Sequence, residues 1–126
     1  MSLDVTLYVE VDTGGNKPRM LELYSRNITH NMGLMASHVD IGYKDYSLYE
    51  VLWRPEEIDV LQEPVQGIDI ITFLETGLKN LKNNRDNLLQ YNPENGWGNY
   101  DGLLDFTEAY VDAIKRDPKG FIEVDR

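Results

Sequence analysis

Cysteine is absent from the 126 residues. That excludes a disulfide framework, a cysteine-based zinc site and a catalytic thiol. Histidine is scarce, with only His30 and His38. On one helix the two would stand roughly 12 Å apart at ~1.5 Å rise per residue, too far to share a metal. His38-Val39-Asp40 offers two ligands, fewer than a zinc site takes. Neither an EF-hand loop nor an HExxH motif occurs, so no metal and no cofactor are expected. Positive charge is also in short supply: 12 Lys and Arg stand against 22 Asp and Glu, a formal net charge of −10. This argues against direct nucleic-acid binding and against docking on anionic lipid, both of which need clustered cations. Long apolar runs are missing. The longest stretch without Lys, Arg, Asp or Glu is Asn27 to Val39, too short and too polar to span a bilayer. The start, Met1-Ser2-Leu3-Asp4, has neither a basic segment nor an apolar one, which points to a cytoplasmic protein. No GxSxG elbow and no P-loop is present; with no nucleophile motif, an enzyme is the least favoured reading.

What remains is an ordinary globular composition, 41% hydrophobic and 27% charged, at a length that suits one domain, 1–126. Leu3, Val5, Leu7, Val9 and Val11 alternate with Asp4, Thr6, Tyr8, Glu10 and Asp12, the period of a half-buried strand. A turn-rich segment at Thr13 to Pro18 leads to a second alternating run, Met20 to Ser25, with Leu21 and Leu23 expected inward. Ile28, Met32, Met35 and Val39 then read as a helical stripe, with Asn27 or Thr29 as its cap. Asp45 is the expected cap of a short helix ending near Arg54, before Pro55. Ile71, Leu74, Leu78 and Leu81 mark a longer helix capped by Asp69. The last helix is expected from about Tyr100 to Arg116, followed by a strand at Phe121 to Asp125. Strands and helices are segregated, so the fold class is α+β: a three-stranded, mainly antiparallel sheet covered by helices. The expected core is Val5, Leu7, Val9, Leu23, Ile71, Leu74, Leu78, Leu104, Val111 and Ile122.

Three short segments carry dense chemistry: Asn27-Ile28-Thr29-His30-Asn31, Leu52-Trp53-Arg54-Pro55-Glu56-Glu57 and Asn92 to Asp101, where Gly96 and Gly98 flank Trp97. Each has a structural explanation, as a helix cap, as core packing or as a loop whose Trp plugs the core. If they converge, they make a ligand site. Trp53, Trp97 or Tyr100 would stack on a flat ring, and His30, Asn31, Asn95 and Asn99 would read its edges. Arg54 would hold an anionic group. Charge offers a rival. Pro55 to Leu78 and Asp86 to Ile114 each contain six acids and no Lys or Arg, a composition that suits a solvated surface or a negative face for a basic partner.

The runs Asn27 to Gly33, Leu52 to Ile58 and Tyr91 to Gly102, with the ending Ile122 to Arg126, resemble a family of small uncharacterised proteins of tailed bacteriophages and prophages. The likeness covers nearly the whole chain, and Asn92-Pro-Glu-Asn-Gly-Trp-Gly98 is its most specific part. The resemblance implies a phage accessory protein in a bacterial host cytoplasm, of a kind that antagonises host defence. The expected partner is a small nucleotide-like immune signal or, alternatively, a host protein met by an acidic inhibitor or nucleic-acid mimic. Homo-oligomerisation stays open.

Overall fold

The computed structural model describes residues 2–126. Its element order is β1 (Ser2–Val11), β2 (Arg19–Thr29), α1 (Gly33–Ala36), α2 (Leu48–Trp53), α3 (Gly67–Asn83), α4 (Arg85–Leu88), α5 (Tyr100–Arg116) and β3 (Phe121–Asp125), with single 3-10 turns at His30–Met32, Pro55–Glu57 and Leu89–Tyr91. The architecture is α+β, with an open antiparallel sheet of order β2-β1-β3. Period-two alternation places Leu3, Val5 and Leu7 on the face that the helices cover, and all three are fully buried.

The second strand is longer than the alternation predicts, because Ser2 pairs with Thr29 and Leu3 with Ile28. Ile28 is therefore a strand residue and not the first turn of a helical stripe, in keeping with the β preference of branched side chains. Helix begins only after Thr29, whose side chain accepts from the Asn31 N–H and caps the 3-10 turn. Further out, the ladder shifts between Leu7 and Tyr8: Leu7 faces Tyr24, Tyr8 faces Glu22, and Leu23 is the extra residue of the bulge. Leu21, opposite Val9, still shares the core-side face, but it is 51% exposed, and Leu23 is exposed too. The inward assignment of these two leucines is corrected by the reach of the hairpin, which outruns the helical layer. The third strand, pairing only with Asp4 to Tyr8, also stops short of the tip.

Two caps differ from expectation. Ser47, not Asp45, starts α2 in a capping box with Glu50. Gln66 precedes α3, and Asp69 sits inside the first turn with its carboxylate accepting from the Gln66 N–H at 2.9 Å. The buried stripe is Gly67, Ile70, Leu74, Gly77 and Leu81, one face that includes two glycines. Ile71 and Leu78 become half-buried flanks. Gly77 belongs to the stripe because a Cβ there would stand 3.0 Å from Leu48 Cδ1, which fixes how closely α2 crosses α3. Of the expected core, Val5, Leu7, Leu74 and Val111 are buried. Val9, Leu104 and Ile122 are half-buried.

The centre of the molecule contains an unusual polar atom. Tyr110 is fully buried, and among the described residues its hydroxyl, like that of the neighbouring Tyr24, has no hydrogen-bond partner. Burial, with a smaller contribution from Tyr24, pushes the phenol well above its ordinary value. A buried donor left unmade costs about 1–3 kcal/mol. Tyr110→Phe keeps the ring that packs against Phe106 and Tyr24. It is expected to raise the urea midpoint, by up to about 1–3 kcal/mol of stability. A lower midpoint would mean that the hydroxyl has a partner.

Candidate functional site

The ladder that ends β2 delivers Thr29 and His30 to the edge of the helical layer, next to the beginning of β1. From the other side, α2 ends at Trp53, which is 1% exposed. The Trp53 indole N–H donates to His30 Nδ1 at 3.0 Å. An accepting Nδ1 on a neutral imidazole leaves the hydrogen on Nε2, so His30 is set as a donor at its far end. Tyr49 stacks on Trp53 with centroids 5.4 Å apart, and Arg126 donates to the Trp53 carbonyl at 2.7 Å. Trp53 thus has no free ring face to offer a ligand. Its place is beneath His30.

The loop after the Leu89–Tyr91 turn is held by its asparagines. Asn92 Oδ1 accepts from the Tyr100 N–H at 2.9 Å and Asn95 Oδ1 from the Trp97 N–H at 3.0 Å. Asn99 Oδ1 accepts from the Gly102 N–H at 2.8 Å and caps α5. Asn31 reaches across with longer contacts, 3.4 Å to the Trp97 carbonyl and 3.5 Å to Asn95 Oδ1. Gly96 and Gly98 both have positive φ, +78° and +95°. The chain can therefore reverse on either side of Trp97. The Trp97 side chain does not plug the core; it is 70% exposed.

Between these elements lies an open cavity of about 860 Å³ lined by Ser2, Asn27, Thr29, His30, Asn31 and Trp97. Of the expected residues, His30, Asn31 and Trp97 line this cavity; Asn95 lies outside the lining and joins through its contacts with Asn31 and the Trp97 N–H. The other four residues do not join them. Arg54 lies outside the lining, with its Nε donating to the Tyr49 hydroxyl at 3.4 Å. Asn99 is spent as a cap. Tyr100 is buried, its hydroxyl donating to the Leu81 carbonyl at 2.7 Å. Among the described residues no Lys or Arg lines the cavity, so Arg54, the cation expected for an anionic group, is not at this wall. Sequence reasoning missed Ser2, which reaches the cavity through its pairing with Thr29. It saw Asn27 and Thr29 as caps and as members of the first polar segment. The pairing register of β1 with β2 is the signal that would have found all three.

Among the described residues, no helix is long and apolar enough to cross a membrane, and no group of three or more His, Asp or Glu is placed to hold a metal. The chain matches no family model, no curated protein and no solved structure.

Proposed function

We propose that this protein is a non-enzymatic accessory binding protein of phage type. Acting in a bacterial cytoplasm, it sequesters a small nucleotide-like signal in the cavity beside Trp97. The observation that carries the reading is a large indole held at 70% exposure by a loop with ordered backbone hydrogen bonds. An exposed Trp on a fixed loop is a ready stacking face for a flat heterocycle. Beside it, His30 offers a donor, and Asn27, Asn31 and Thr29 offer donors and acceptors for the edge of a base. With no Lys or Arg in the lining among the described residues, recognition rests on the base and not on its phosphates. At ~8 Å screening length in physiological salt, the distant carboxylates weigh little on the site.

Calorimetric titration with cyclic dinucleotides, adenine-dinucleotide-derived signals and plain nucleosides tests this. Base stacking on an aromatic contributes about 1–3 kcal/mol, so Trp97→Ala should weaken binding about 5–150-fold. Arg54→Ala should leave it unchanged. Absence of heat with every probe would defeat the reading. The alternative, an inhibitor that grips a host protein, is favoured by one feature: Val11 and Leu21 stand exposed on one face of the protruding hairpin, with Met20 exposed on its other face.

A further inference from the structure

The sheet leaves a short piece of edge open beside a cavity. β3 is a terminal strand, paired with β1 on one side. On its other side the segment leading into α3 lies against its beginning. The Ile122 N–H donates to the Val65 carbonyl and the Gly67 N–H to the Gly120 carbonyl, both at 2.8 Å, around an isolated bridge from Gln66 to Phe121. These bonds fix the direction of the amides along the strand. Ile122 points away from β1, and alternation in an antiparallel ladder makes Val124 do the same, while Phe121, Glu123 and Asp125 point toward β1. The register places Glu63 opposite Val124, yet no bond joins them. Among the described residues, the Val124 N–H and C=O are thus without a backbone partner.

Val124 lines a cavity of about 370 Å³, whose other walls include the Pro55–Glu57 turn and the segment from Glu63 to Val65. Its charge is one-sided. Glu56, Glu63 and Glu123 line it against a single cation, Arg126. That guanidinium is already held by Glu56 and by the Trp53 carbonyl. Among the described residues, Glu63 and Glu123 belong to no ion pair.

An unpaired sheet edge is a template for another extended chain, and the carboxylates beside it decide which chain fits. On a guest strand antiparallel to β3, the residue opposite Val124 shares the core-side face of Val124 and Val5. The residues before and after it fall on the outer face, opposite Glu123 and Asp125. An apolar residue between two cations therefore matches the position. An acidic segment would set like charges directly opposite each other there. The net charge of −10 draws a basic segment in at long range. We propose that the open end of β3 is a docking site for a basic, extended segment of a partner protein, which adds beside Val124 as a fourth strand. The site is separate from the Trp97 cavity and does not rest on the nucleotide reading.

The test is titration of the full chain with acetyl-Lys-Val-Lys-Val-Lys-amide, followed by calorimetry and by hydrogen exchange of single amides in ¹H–¹⁵N NMR spectra. At saturation the Val124 amide should exchange about tenfold more slowly or better, because it gains a partner. The Ile122 amide, already bonded to Val65, should change little. The same peptide with both valines N-methylated loses the donors that face β3 and should bind about tenfold more weakly. Spermidine and acetyl-Glu-Val-Glu-Val-Glu-amide should also bind more weakly. The double variant Glu63→Lys with Glu123→Lys should reverse the preference and bind the acidic peptide better than the basic one, a gain that unfolding cannot mimic. Asp86→Lys with Asp112→Lys, the same change of net charge placed on α4 and α5, should keep the original order. The proposal is overturned by absence of binding, by a Val124 amide that exchanges as before, by equal binding of the N-methylated peptide or spermidine, or by a preference that the variant on β3 does not reverse.

Discussion

Replacing Trp53 by Ala is expected to cost about 3–5 kcal/mol, the range for removing a large buried aromatic side chain. Against a typical ~5–15 kcal/mol for a whole domain, that is a large share. The residue ties α2 to the end of β2 through its side chain and to the C-terminus through its backbone. Its indole N–H holds His30, its ring lies on Tyr49 one turn back on the same helix, and its backbone carbonyl, which substitution leaves in place, accepts from Arg126, which also pairs with Glu56. The Ala variant loses the packing and the hydrogen bond together. Trp53→Phe keeps most of the volume and loses the donor, so it should cost about 1 kcal/mol, the net value of one ordinary hydrogen bond. Urea unfolding followed by far-UV circular dichroism separates the two. Near-equal midpoints for Trp53→Ala and the unmodified chain would show that the indole is not the buried brace described here. The consequence for the site is direct. Without the Trp53 donor nothing fixes the hydrogen of His30, so any ligand edge read by Nε2 should be read less selectively in both variants.

Such a brace could not have been found by scanning for chemistry. In the sequence Trp53 stands beside Arg54 at the turn before Pro55, the same polar context that marks Trp97. The two differ in what precedes them. Leu48, Val51 and Leu52 run into Trp53 on a helix whose side chains are buried, whereas Trp97 is isolated between glycines. Periodicity was a good guide where one face alone meets the core, as in β1, β3 and α5, whose ends fall where the pattern puts them. It was a poor guide where tertiary pairing overrides local pattern. Ile28 continues a helical stripe on paper, yet Leu3 claims it for the sheet. Leu21 alternates correctly, yet no helix reaches it. In α3 the stripe is displaced because two of its five buried positions, Gly67 and Gly77, are glycines that no hydrophobic count registers. The candidate cavity was half legible for the same reason: its polar residues are conspicuous in sequence, but which of them share a wall is decided by the β1–β2 register.

That register, and the loop opposite it, give the second large effect. A Cβ on Gly98 would stand 2.7 Å from Met32 Sδ and 2.8 Å from Thr29 Cγ2, at a φ of +95°. Gly96 has a φ of +78° and open space where its Cβ would be. The two glycines therefore separate two costs that are usually confounded. Gly96→Ala carries only the backbone cost of a side chain at positive φ, about 1 kcal/mol. Gly98→Ala adds a collision with a buried methionine and with the threonine that caps the 3-10 turn. Overpacking costs typically about 1–3 kcal/mol, so the sum should reach about 2–4 kcal/mol. Relief by lifting the loop would move Trp97 away from Thr29 and His30 and break the contacts from Asn31 to the Trp97 carbonyl and to Asn95. Gly98→Ala is therefore expected to lower the urea midpoint more than Gly96→Ala. It should also abolish whatever heat the Trp97 cavity gives in titration, while Gly96→Ala keeps most of it. Equal midpoints would show that the loop is not seated on Met32. A destabilised Gly98→Ala that still binds at full strength would show that Trp97 and the β1–β2 wall do not act as one site.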